Sequence, residues 1–196
     1  YGNDGTPFCS ESHSHDQIFA NEIRYAGQYC LLSASQLFDT GEATFAIEIG
    51  DDLWSPVAPS SSHALCGAQL IVNPAASAEI LFRNKYRRDL LSQHSSRTHT
   101  GYIYAAAGIG ESTTDMVYGG SASIWENGDC LAENKRFCCD SSMIIADVDV
   151  QRLSNLRSAD AVFCESQADS SRYIRTDIGP GAETDFNRSL YRHIEA

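Results

Sequence analysis

Three features of the sequence predict an α/β domain. Short apolar runs rich in β-formers recur along the chain and stop at glycine, proline or aspartate. One long stretch between two of them carries apolar residues at helical spacing. The links between these segments are short. Residues 1–26 are polar and give no periodic signal. Residues 28–34 and 43–50 read as strands, the second ending at Gly50, Asp51 and Asp52. Pro56, Pro59 and a run of serines follow, and Ser60 or Ser61 is the expected cap of a short helix through Leu65. Residues 69–73 form a buried strand stopped by Pro74. From about Arg83 to His99, Tyr86, Leu90 and Leu91 recur at helical spacing among basic residues. Residues 102–107 are another buried strand, ended by Gly108 and Gly110. Residues 121–125 and 130–132 flank Asn127-Gly128, the strongest two-residue hairpin signal. Residues 143–150 read as a further strand and 151–157 as a weak helix. The runs at 45–49, 70–73 and 102–107 read as strands buried on both faces.

Composition excludes several classes. At 42% apolar and 20% charged, the chain is an ordinary folded domain and not a disordered one. Its net charge of -12 opposes nucleic-acid backbones and anionic lipid alike. No apolar run reaches the roughly 20 residues a membrane span needs. The seven cysteines (9, 30, 66, 130, 138, 139 and 164) form no C-x-x-C pair. They read as mostly reduced, half-buried thiols of a reducing compartment, such as the cytoplasm.

Three ordered segments carry a family resemblance. The first runs from Ile47 through Gly50, Asp51, Asp52, Leu53 and Trp54 to Pro56. The second runs from Pro59 to Ala68 and on through Val72, Asn73 and Pro74 to Ser77. The third runs from Tyr102 through Gly110, Glu111, Ser112, Thr113, Thr114 and Asp115, followed by Ser123 to Gly128 and Leu131 to Glu133. Together they resemble the carbon–nitrogen hydrolase (nitrilase-superfamily) domain that forms the glutaminase half of glutamine-dependent NAD synthetases. The likeness is best over 38–163. It makes residues 1–196 a partial domain of a four-layer α-β-β-α sandwich, with the domain's N-terminal part and the ATP-using synthetase domain lying outside this sequence.

The resemblance implies a chemistry. In the family a cysteine thiolate attacks the glutamine side-chain amide, a glutamate relays protons and a lysine helps hold the oxyanion. The released ammonia reaches a synthetase domain that uses ATP and Mg to amidate deamido-NAD. The glutaminase domain itself needs no cofactor, and the full-length proteins form homo-oligomers. In this sequence Gly50 occupies the nucleophile position, and the family's lysine and glutamate fall upstream of Tyr1. Chemistry by this chain alone is therefore not expected. A non-catalytic domain serving a synthetase that takes free ammonia, or another nitrilase-type amidase, are the alternatives.

By resemblance Ser77 and Arg83 match positions that hold the glutamine substrate. An arginine fork suits a carboxylate, and a serine after a buried strand suits the carboxyl end of an α/β sheet. Asp51 stands where the family commonly has a longer glutamate. Tyr1 lies where an upstream substrate-contacting tyrosine motif ends. His13 and His15 read as a polar loop, and no metal site is expected. Arg83, Lys85, Arg87 and Arg88 read as a solvated helix face. Residues 110–115 are expected near the rim of the site.

Overall fold

The computed structural model of the chain describes residues 21–179. Tyr1, Cys9, His13 and His15 lie outside the described residues. The first described element is a hairpin, β1 (Asn21–Tyr25) and β2 (Gln28–Leu32), paired antiparallel as a separate two-stranded sheet. Ala26 and Gly27 turn it, both at positive φ, as a type I′ turn demands. The main sheet comprises β3 (Gln36–Asp39), β4 (Thr44–Ile47), β5 (Leu70–Ala75), β6 (Gly101–Ala106), β7 (Ala122–Glu126), β8 (Asp129–Glu133) and β9 (Ile174–Asp177). Its spatial order is β8-β7-β6-β5-β4-β3-β9. The centre, β4-β5-β6, is parallel, while the β7–β8 hairpin extends one side antiparallel. Asn127 and Gly128 both take positive φ at its tip, as the sequence indicated.

Parallel strands need crossovers, and the two central ones supply the helices. Helix α1 (Pro59–Leu65) links β4 to β5, and α2 (Arg83–Thr98) links β5 to β6. Both helices pack on one face of the sheet and touch each other. That face holds the core: Leu37, Ala46, Ile71, Tyr102 and Trp125 in neighbouring strands, closed by Leu53 and Leu91. Helix α3 (Val150–Ala159) lies across the entrances to β5 and β6, and α4 (Ala161–Ser166) follows it. Asp149 and Asp160 cap these two helices through their side chains. Arg157 anchors α3: its guanidinium donates to the carbonyls of Ala68, Thr98 and His99, just beyond the C-termini of α1 and α2. Burial pulls that guanidinium down to about 10.

Several expectations need correction. Residues 143–149, expected as a strand, pair with no strand among the described residues. Met143 and Ile145 are exposed, while Val148 is half-buried. Neither Ser60 nor Ser61 caps α1; Ala58 stands at the cap and Pro59 opens the helix, leaving the buried Ser60 for another role. The exposed face of α2 includes Tyr86, whereas Arg87, Leu91, His94, Ser95 and Thr98 are buried. Arg87 is therefore no part of a solvated face. Strand β4 is not buried on both sides either, since Ile47 and Ile49 are exposed on the face without helices. All six described cysteines are free, but only Cys66 is buried and Cys30 half-buried.

Val148 packs against the face without helices, and one glycine makes room for it. A Cβ on Gly101 would lie 2.6 Å from Leu70 Cδ2 and 2.9 Å from Val148 Cγ1. Both neighbours are branched side chains held from two directions. Gly101→Ala is expected to lower stability by about 1–3 kcal/mol through overpacking. A urea melt read by circular dichroism checks this, the expected result being a lower midpoint at unchanged slope.

Candidate functional site

The site forms at the carboxyl end of β4, beside β5. Ile47, the last residue of β4, pairs with Val72, and β5 runs on to Ala75 beside the residues that leave β4. After β4 the chain turns through a short 3-10 segment, Gly50–Trp54. Gly50 is buried and takes φ +55, in the left-handed region that glycine adopts at little cost. Its would-be Cβ points into open space, with Ala75 Cα nearest at 4.0 Å. A side chain at this position has room, and only the backbone angle opposes it.

The Gly50 peptide is gripped by one side chain. Asn73, fully buried in β5, accepts from the Gly50 N–H at 2.9 Å and donates to the Gly50 carbonyl at 3.3 Å. The same amide nitrogen donates to the Tyr102 hydroxyl at 2.9 Å. Tyr102 in turn donates to Glu48 Oε1 at 2.5 Å, and the Ser60 N–H donates to Glu48 Oε2 at 2.8 Å. Ser60 Oγ closes the chain on His94 Nε2 at 2.8 Å. Each of these side chains is at most 2% exposed. Burial raises Glu48, against the pull of its donors Ser60 and Tyr102. Burial lowers His94 to about 4, helped by Arg97.

Beyond Gly50 the expected ligand residues converge. Asp51 Oδ1 accepts from Ser77 Oγ at 2.5 Å and from Arg83 Nη2 at 3.1 Å. Arg83 also lies over the Trp54 ring at 4.6 Å, and the Tyr86 ring lies beside Trp54, tilted by 31°. Gly50, Asp51, Ser77 and Arg83 thus share one locus, while Tyr1 falls outside the described residues. The loop carrying Ser77 and Arg83 is pinned at its middle. Buried Glu79 binds Arg87 at 2.8 Å and Arg136 at 3.1 Å, and its N–H donates to the Val117 carbonyl. That bond brings the 110–118 segment beside the loop, at the rim. The loop's tip, Ile80, Leu81 and Phe82, is exposed, and Phe82 takes φ +65, a strained value for an aromatic residue.

Four buried polar atoms lack partners among the described residues: Trp54 Nε1, Arg83 Nε, Arg87 Nη1 and Tyr104 Oη. The first two belong to the site itself. No group of three or more His, Cys, Asp or Glu side chains that could hold a metal occurs among the described residues. No described helix is long and apolar enough to cross a membrane. Sequence reasoning missed the Asn73–Tyr102–Glu48–Ser60–His94 chain entirely. Its one available signal was polar residues inside apolar strands.

An α/β sheet with two crossover helices on one face matches a known class of fold. The chain superposes on yeast Nit3, a member of branch 10 of the nitrilase superfamily, with TM-score 0.55 at 17% identity, over 65% of this chain and 45% of that one. At that identity the likeness speaks for the fold alone, that of the carbon–nitrogen hydrolases. A glutamine-dependent NAD(+) synthetase from Cytophaga hutchinsonii superposes with TM-score 0.51 at 25% identity, over 60% of this chain and 18% of that one. In sequence, the glutamine-dependent NAD(+) synthetase of Mycobacterium leprae is 37% identical over 156 residues, which is 76% of this chain and 22% of the relative. The chain is thus similar in sequence to glutamine-dependent NAD(+) synthetases and carries the fold of the carbon–nitrogen hydrolases. It spans about a fifth of the length of such relatives. No protein-family model matches it.

The buried histidines give a testable acid sensitivity. His94 and His63 are both lowered to about 4, mainly by burial; His63 bonds the Tyr173 hydroxyl and the Ile47 carbonyl. Between the ordinary value of about 6.5 and 4, the unfolded chain binds protons that the folded chain refuses. Stability therefore falls as pH drops through that window, by about 2 kcal/mol per histidine at pH 5. Glu48, raised by burial, works in the opposite sense. Thermal melts at pH 7 and pH 5 are expected to show a marked loss for the parent. That pH difference should shrink in His94→Gln and again in the double variant with His63→Gln.

Proposed function

We propose that this chain is a glutaminase-type domain of a glutamine-dependent NAD synthetase that holds glutamine without hydrolysing it. One observation supports the reading: Ser77 and Arg83 converge with Asp51 next to Gly50, the residue that family resemblance sets at the nucleophile position. Arg83 and Ser77 offer donors for a carboxylate, and Trp54 and Tyr86 supply an aromatic wall for an aliphatic chain. The amide end of a ligand seated there lies toward Gly50. Hydrolysis through a thioester needs a thiolate at that point, and a hydrogen atom offers none. Asp51 is a poor nucleophile toward amides and is engaged by Ser77 and Arg83. Cys66 sits buried at the far end of α1, and burial pushes its thiol up, away from the reactive thiolate.

A second reading shares the same observation. The domain serves as a contact partner for an ammonia-using synthetase unit and binds no glutamine. The exposed apolar tip Ile80–Phe82, with exposed Val57 near it in sequence to Trp54, favours that reading. In either case the synthetase activity, with its ATP and Mg, belongs to another unit.

Incubation with glutamine is expected to release no glutamate above a buffer blank. Gly50→Cys alone should not restore release, because residues 1–196 include neither the family's lysine nor its glutamate. Saturation-transfer NMR should detect glutamine on the parent chain and lose it in Arg83→Ala. Absence of any glutamine signal, with the fold intact, would transfer the argument to the contact-domain reading. Turnover by the parent would overturn both.

A further inference from the structure

The Asp51 carboxylate stands where the proposed ligand's own carboxylate belongs. A single oxygen of Asp51 takes both donors, Ser77 Oγ at 2.5 Å and Arg83 Nη2 at 3.1 Å. We infer that Asp51 is an internal occupant of this anion seat, competing with incoming carboxylates rather than helping to bind them. The inference rests on the reading of Ser77 and Arg83 as the ligand's holders. It inverts the role that family resemblance assigns to residue 51.

Three features support it. The first is chain geometry: Asp51 follows Gly50, whose left-handed turn sends residue 51 off the end of β4, toward the loop leaving β5. The second is that Asp51 is free to leave. Its side chain is 69% exposed, so a displaced carboxylate is met by water at little cost. The third is that the pairing is incomplete. Among the described residues Arg83 Nε has no acceptor, and Asp51 engages the guanidinium through one oxygen and one nitrogen. A ligand carboxylate arriving with two free oxygens can pair with an arginine fork through two parallel bonds, the stronger arrangement. The exchange swaps one carboxylate for another, so no net charge is buried and the seat stays neutralised throughout.

The consequence is a penalty on affinity set by how often the seat stands open. If Asp51 vacates it in about one molecule in ten, apparent affinity drops about tenfold. Removing the charge from residue 51 should return that factor. A carboxylate that contributes to binding predicts the reverse.

The test compares parent, Asp51→Asn and the double variant Asp51→Asn/Arg83→Gln, each confirmed folded by circular dichroism. Two probes are titrated by calorimetry or NMR: L-glutamine, and glutarate, which lacks both amine and amide. The inference expects Asp51→Asn to bind both probes about tenfold more tightly than the parent, and the double variant to lose the gain. Tighter glutarate binding in Asp51→Asn with no preference for glutamine in any protein keeps the inference and removes the glutamine reading. Glutamine binding to the parent that weakens in Asp51→Asn keeps the glutamine reading and overturns the inference. Unchanged affinity, or no binding by either protein, overturns it as well.

Discussion

The two hydrogen bonds between the Asn73 side chain and the Gly50 peptide organise this end of the molecule. They join β5 to the residues that leave β4, where the pairing of these two strands has already stopped. Everything expected of the site depends on them. Gly50 keeps its left-handed turn, Asp51 is delivered to Ser77 and Arg83, and Trp54 comes to lie under the Arg83 guanidinium. An amide suits this task because it donates and accepts at once, matching a peptide's own N–H and carbonyl. The clamp is buried, so solvent does not compete for either bond.

Behind the clamp, polar groups do work in the interior that apolar packing usually does. Tyr102, Glu48, Ser60 and His94 pass hydrogen bonds from β6 through β4 to α1 and α2. Arg87 and Glu79 fix the loop between β5 and α2, and Arg157 fixes α3 to the ends of both crossover helices. Buried arginines used this way satisfy orphan carbonyls and carboxylates that a helix end or loop would otherwise leave exposed to an apolar interior. The three layers of contact are therefore keyed by donors and acceptors, and their relative positions admit little slippage.

These interior polar groups set the limit on what the sequence could tell. The hairpin at Asn127-Gly128, both crossover helices and the three parallel strands were legible, because turn chemistry and β-former runs are local signals. The run 45–49 reads as a strand buried on both faces, because its β-formers are nearly continuous. Only one face is buried, and it is the one that carries the charge: Glu48 is 1% exposed and Ile49 63%. In α2 the same inversion buries Arg87 and His94 while Tyr86 faces out. β9 and β3 were missed because four-residue strands carry almost no periodic signal. Of the site, Gly50, Ser77, Arg83 and Asp51 were accessible through motif resemblance. Asn73 was not, since its importance lies in a partner 23 residues away.

The position of β9 bears on how the chain comes to be folded. It pairs in parallel with β3, and Gln36 meets Thr176 across 140 residues. Closing so long a loop is entropically slow and cannot begin until residue 177 is free of the ribosome. Until then β3 has β4 on one side and an open ladder on the other. During synthesis that edge is a ready template for other nascent strands. Among the described strands β9 is the last to emerge, and it latches an edge of β3 that stays open to misassembly until then.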